Sequence, residues 1–239
     1  MFHYRNDPGA DGVGVAFSDA IGSGGEPLSL GGQHGAGGRP AGITILERAL
    51  QVRLAVVRQV HGDRVLAINH DNVDTAAEIE ADAMVTTAQS IALTIRVADC
   101  VPVLLADSAA GVIGAAHAGR RGLATGVLSR TVEAMRSIGA VSIRGWIGPH
   151  ICGSCYEVPE AMAEEIGALV PGARSTTSWG TPALDLGAGV DRQLRDLGVG
   201  SLRVDGCTRT TGSLHSYRRD GTRAGRQAGC IWLPARVSR

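Results

Sequence analysis

The 239-residue chain contains no lysine, so its 23 basic residues are all arginine, balanced by 23 acidic ones. A Schiff-base lysine and a phosphate-loop lysine are thereby excluded, and with them pyridoxal-type catalysis and Walker-type nucleotide hydrolysis. The formal net charge is zero, and no basic run is interleaved with aromatics, so no nucleic-acid partner is expected. Also missing is any uninterrupted apolar run near the ~20 residues that a membrane span needs. Met1 to Asp7 holds no apolar signal core, so a soluble, cytoplasmic protein without a membrane partner is expected. The five cysteines are an odd number, which without a secretory signal favours free thiols or metal ligands over a disulfide framework.

What is present suits one globular core, since hydrophobic residues make up 44% and charged residues 19% of the chain. Residues 18–42 are rich in Gly, Pro and Ser and read as a surface loop. A short helix is expected over 44–50, a strand over 54–60 ending at His61, and another strand over 65–68. Runs at 83–86, 91–97, 101–106 and 112–116 are apolar on successive residues, the pattern of strands buried on both faces. Apolar spacing predicts a helix over 122–138 with Gly139 as its stop. Further strands are expected at 143–147, 202–204 and 229–233, and helices at 160–169 and 189–197. Strict strand–helix alternation is absent. The expectation is therefore a single α+β domain over 1–239, a large mixed β-sheet flanked by helices.

His61, Cys100 and His117 fall at the ends of three such runs. Thiolate and imidazole are good zinc ligands. A site with three protein ligands keeps one coordination position open and lowers the pKa of a bound water toward ~7. Against this stands the packing alternative, because buried Cys and lone His are common and the spacing matches no metal module.

Asp99 precedes Cys100, and strand neighbours face opposite ways, so both reach one cavity only if the backbone bends, an irregularity that Pro102 permits. Asp99 is then either a general acid/base or the partner of a ligating imidazole, or else a turn residue. Arg121 lies in Gly119-Arg120-Arg121-Gly122 at a predicted helix start, a natural anion site, or simply a solvated turn. Arg219, in Ser216-Tyr217-Arg218-Arg219-Asp220-Gly221, and Arg226, in the Gly225-Arg226-Gln227-Ala228-Gly229 that follows, suit an anion or sugar hydroxyl, or structural carboxylate pairs such as one with Asp220. Cys152-Gly153-Ser154-Cys155 is a lone CxxC. A zinc site could recruit Cys207 or Cys230, though the separations match no common module, and a packed turn with unpaired thiols is the simpler reading.

In order along the chain stand Gln59-Val60-His61-Gly62, Ala81-Asp82-Ala83, Ala98-Asp99-Cys100-Val101-Pro102 and Ala116-His117-Ala118-Gly119. Ile147-Gly148-Pro149, Cys155-Tyr156-Glu157-Val158 and Ser216 to Gly221 follow. From about residue 43 to 233 this set resembles the YfiH family, also labelled polyphenol-oxidase or laccase-domain and described as purine nucleoside phosphorylase. The resemblance implies a zinc ion held by His61, Cys100 and His117. It also implies phosphorolysis of adenosine, inosine and methylthioadenosine, with adenosine deamination as a second activity, and thus a purine nucleoside and phosphate as partners. Arg48 matches an arginine of the helix near residue 48, and Arg120 stands where the family usually has Trp. The laccase label fits the residues less well: multicopper oxidases use many His ligands, typically His-x-His pairs, and this chain has seven His and no such pair. One His₂Cys set would accept copper in vitro, but a four-copper path has no ligands. A metal-free reading is cysteine hydrolysis, with Cys100 as nucleophile and His117 or His61 as base.

Overall fold

A computed structural model of the protein describes residues 1–9, 12–31 and 40–235. Two mixed sheets lie face to face. The first runs in the order β1 (Phe2–Asn6), β2 (Gly14–Ser18), β13 (Gln227–Trp232), β6 (Ile91–Val97) and β3 (Arg53–Ala55). The second runs β12 (Gly200–Arg203), β9 (Arg144–Ile147), β7 (Val101–Asp107), β8 (Val112–Ala118), β5 (Ala83–Thr86) and β4 (Val65–Ala67). Helix α1 (Ala41–Leu50) covers the outer face of the first sheet. On the second sheet, α2 (Arg120–Thr125), α3 (Val127–Ser137), α4 (Glu160–Leu169) and α5 (Leu186–Asp196) build the outer cover. A hairpin of β10 (Arg174–Thr176) and β11 (Pro182–Leu184) and the one-turn α6 (Tyr217–Asp220) complete the chain.

The order helix, sheet, sheet, helix explains the continuous apolar runs. Along β7, Val101, Val103 and Leu105 pack under α2–α5, while Leu104 and Ala106 meet Phe17, Leu93, Ile95 and Ile231 between the sheets. Every residue of β7 and β8 is buried. The expected α+β domain with mixed sheet and flanking helices is thus present, with two large sheets in place of one.

Other expectations shift locally. The single helix over 122–138 is two helices, broken at Gly126, whose φ of 95° ends α2 in the left-handed conformation that glycine adopts without strain. Of the strand expected over 54–60, β3 ends at Ala55 and Arg58 makes an isolated parallel bridge to Glu80, with His61 beyond it in a left-handed turn with φ 61°. The loop expected over 18–42 carries the buried Leu28 and Leu30, which pack on α1, so its first part belongs to the core; residues 32–39 lie outside the described residues. The two N-terminal strands and the β10–β11 hairpin were not foreseen, being short and weakly patterned.

Candidate metal centre and its cleft

The site grows from the register of the second sheet. β5 pairs antiparallel with β8, Ala83 opposite Ala116, which sets Asp82 opposite His117 one step further on. Directly opposed side chains of an antiparallel pair lie on the same face and within reach of each other. The fully buried Asp82 accepts the Nδ1–H of His117 at 2.8 Å through Oδ1. The same Oδ1 accepts the backbone N–H of His61 at 2.9 Å, and Oδ2 accepts those of Gly62 at 2.7 Å and Val60 at 3.1 Å. One carboxylate therefore fixes the tautomer of one imidazole and the loop that carries the other.

Cys100 comes from the segment before β7, and His61 Nε2 is 3.8 Å from its Sγ. The donor atoms of His61, Cys100 and His117 all lie within 4.8 Å of one another. The two imidazoles meet edge to face, with centroids 4.8 Å apart. Burial pushes the Cys100 thiol up, but the imidazoles of His117 and His61 outweigh it and bring the thiol down to about 6. Burial likewise opposes charge on His117, yet the Cys100 thiolate and Asp82 hold its pKa up at about 9. Each thus favours the charged form of the other, the direction of a thiolate–imidazolium pair. Two imidazoles and a thiolate, one imidazole anchored to a buried carboxylate, are the donor chemistry of a catalytic zinc site, and these residues fit one.

A cleft of about 400 Å³ opens on this cluster, lined also by Gln59, Arg96, Asp99, Tyr156, Tyr217, Arg218 and Arg226. Asp99 shares the cleft wall with Cys100 because its own φ is 89°. The bend is thus at Asp99, while Pro102 lies in regular strand opposite His117. The carboxylate of Asp99 accepts from Thr208 Oγ1 (2.6 Å), Ser216 Oγ (2.7 Å) and the backbone N–H of Arg218 (2.6 Å). The imidazole partner is Asp82, not Asp99.

Most of the arginines expected to hold substrate are elsewhere. Arg48 is exposed on α1 and Arg121 on α2, and neither lines the cleft. Arg219 spends its guanidinium on Asp220 and on the carbonyls of Thr208 (2.8 Å) and Leu214 (2.7 Å), bracing its own loop. Its neighbour Arg218 turns to the cleft instead, lying over the Tyr156 ring and donating to the carbonyl of Glu157. Arg226, just before β13, lines the cleft from the stretch where an anion-holding arginine was expected, whereas Arg96, on β6, was missed. Burial, then the charge of Arg226, lowers the pKa of Arg96. The one available signal for Arg96 was an Arg within an apolar strand. Arg120 points at Met162 of α4, so the cation at the usual Trp position also packs rather than lining the cleft.

Gly119 and Gly122 matter more than the arginines between them. A Cβ on Gly119 would stand 2.8 Å from His61 Cδ2 and 3.3 Å from Cys100 Sγ, and one on Gly122 would stand 2.6 Å from the carbonyl oxygen of Gly62. Helix α2 is thereby seated directly on the His61 turn.

The profile of the family described as multi-copper polyphenol oxidoreductase laccase matches residues 42–234. A protein of Streptomyces griseus named purine nucleoside phosphorylase is 51% identical over 181 residues, 74% of this chain and 73% of its own. One of Streptomyces coelicolor with the same designation is 45% identical over 216 residues, covering 87% and 88%. Among solved structures, the hypothetical protein YfiH of Bacillus licheniformis superposes with a TM-score of 0.80 at 25% identity, over 92% of each chain. A Neisseria meningitidis protein reaches 0.75 at 27% identity over 97% and 98%.

Proposed function

The chain belongs to the family described as multi-copper polyphenol oxidoreductase laccase, which matches most of its length, and from that membership we propose that it is a zinc-dependent purine nucleoside phosphorylase. The observation that carries the reading is the cleft itself. It sets a His₂Cys cluster against a wall bearing three arginines, the pairing that phosphate and a nucleoside require, and close relatives are named for that reaction.

A zinc ion bound by His61, Cys100 and His117 would supply Lewis-acid polarisation to an oxygen ligand in its remaining position. The chain's own residues do the rest. Arg96, Arg218 and Arg226 bind phosphate and offset its charge as it meets the ribose anomeric carbon. Tyr156 and Tyr217 offer flat apolar walls for the purine. Asp99, in our reading, handles the proton. Its three hydrogen bonds use three of about four acceptor positions, leaving Oδ2 one lone pair. The proton released by hydrogen phosphate passes through that position to the departing purine nitrogen, giving ribose 1-phosphate and a neutral base. Adenosine, inosine and methylthioadenosine are the substrates we assign, and attack of water on C6 of adenosine in the same cleft, with ammonia leaving, would give inosine as a second activity.

Chromatography of adenosine incubated with and without phosphate tests this. Adenine plus ribose 1-phosphate, formed only with phosphate and lost in His61→Ala together with one equivalent of zinc, is the expected result. Full activity and full zinc in His61→Ala would overturn it. The thiolate–imidazolium pair favours one second reading, hydrolysis with Cys100 as nucleophile. Activity that survives chelation and disappears on alkylation of Cys100 would identify it. Copper-based phenol oxidation is less well served, because the described residues gather only one cluster containing His.

A further inference from the structure

The fold assembles a second cluster of metal-ligating side chains that the cleft does not use. Cys152 and Cys155 flank a tight turn, closed by the N–H groups of Cys155 and Tyr156 donating to the Cys152 carbonyl at 3.0 Å. Cys207, 52 residues further on from Cys155 in the chain, is brought beside them by a parallel bridge between His150 and Cys207. The backbone N–H of Cys152 donates to the Cys207 Sγ at 3.5 Å. All three sulfur atoms lie within 4.8 Å of one another.

We propose that Cys152, Cys155 and Cys207 form a second metal site, all-thiolate, for a thiophilic cation of the zinc or cuprous class. Zn–S bonds of about 2.3 Å place the sulfurs of a tetrahedral or trigonal site roughly 3.8–4.0 Å apart, so the thiols need close by less than about 1 Å. Soft thiolates select these ions over magnesium or calcium. Each thiol gives up its proton to solvent as it ligates.

Cys230 shows what a merely packed thiol looks like in this fold: it is buried in an apolar cluster beside Thr94 Oγ1, and among the described residues it joins no group of ligating side chains. Cys152 and Cys207, by contrast, are partly open to solvent, so an ion can enter. Arg209 donates to the Cys155 carbonyl at 3.0 Å, placing a cation beside the negative charge that three thiolates and one zinc ion carry together. The site ties together two segments that also hold the cleft wall, because Ile151 N–H donates to the Asp99 carbonyl and Thr208 Oγ1 to the Asp99 carboxylate.

The experiment titrates reduced, chelator-stripped protein with zinc, and separately with cuprous ion, against a chromophoric competitor. Wild type should take two equivalents, and His61→Ala one. In His61→Ala the unfolding temperature should still rise with excess metal, since an ion that binds only the folded state stabilises it. Cys152→Ser/Cys207→Ser should also take one, at the cleft. Should that variant fold poorly, wild type alone suffices, because saturating metal should protect Cys152 and Cys207 from alkylation as read by peptide mass. Saturation of wild type at one equivalent, alkylation indifferent to metal, or a two-hydrogen mass loss from these peptides with no metal taken up would each overturn the proposal.

Discussion

Asp82 is the residue on which the candidate centre turns, and in the chain it shows only as the middle of the Ala81-Asp82-Ala83 motif, with no role attached to it. A buried carboxylate is costly unless every acceptor position is used, and here four donors converge on it. Asp82→Asn keeps the shape but offers an amide where His117 needs an acceptor for Nδ1–H. Zinc affinity should fall about 10–100-fold, the usual consequence of removing a ligand's hydrogen-bond partner, as measured by competition with a chelator. Affinity within twofold of wild type would show that Asp82 does not orient the ligand.

The Cys100–His117 pair also sets a proton count. The acidic group has its pKa lowered to about 6 and the basic one has its raised to about 9, so between those values the metal-free pair carries thiolate and imidazolium. Metal ligation requires thiolate and neutral imidazole. From this pair, binding should release about one proton between pH 6 and 9, about two below pH 6 as the thiol protonates, and none above pH 9. Affinity therefore weakens as pH falls, most steeply below 6. Calorimetric titration in buffers of different ionisation enthalpy measures the count, and a release that does not change across pH 9 would contradict the assignment.

At the scale of elements, the sequence pattern located β5 to β9 within a residue or two, because strands buried on both faces write continuous apolar runs. It merged α2 with α3, since Gly126 interrupts the backbone without interrupting the apolar stripe. The break has a purpose in packing: α2 is left free to lie on the His61 turn through Gly119 and Gly122. In Gly119→Ala the new methyl must displace the His61 ring or the Cys100 sulfur. Zinc content and phosphorolysis should drop at least tenfold while circular dichroism keeps the wild-type spectrum. Unchanged zinc content would mean that the turn yields without disturbing the ligands. The same reasoning explains why Arg218, not Arg219, faces the cleft: the single turn of α6 rotates adjacent residues apart, and a six-residue motif does not say which one points inward.

At the scale of the whole molecule, composition and periodicity determined a good deal. Absent lysine excluded two reaction classes, apolar runs announced doubly covered strands, and the positions of His61, Cys100 and His117 at the ends of those runs marked three candidate ligands. Local spacing carries that information because it depends on which way successive side chains point. Only the tertiary structure decided what meets what. Cross-strand register joined Asp82 to His117, a left-handed residue turned Asp99 into the cleft, the antiparallel pairing of β6 with β13 brought Arg96 and Arg226 to one wall, and a parallel bridge carried Cys207 to Cys152 and Cys155. All but the turn at Asp99 are contacts between residues distant in the chain, fixed by strand pairing and burial, and no local pattern encodes them.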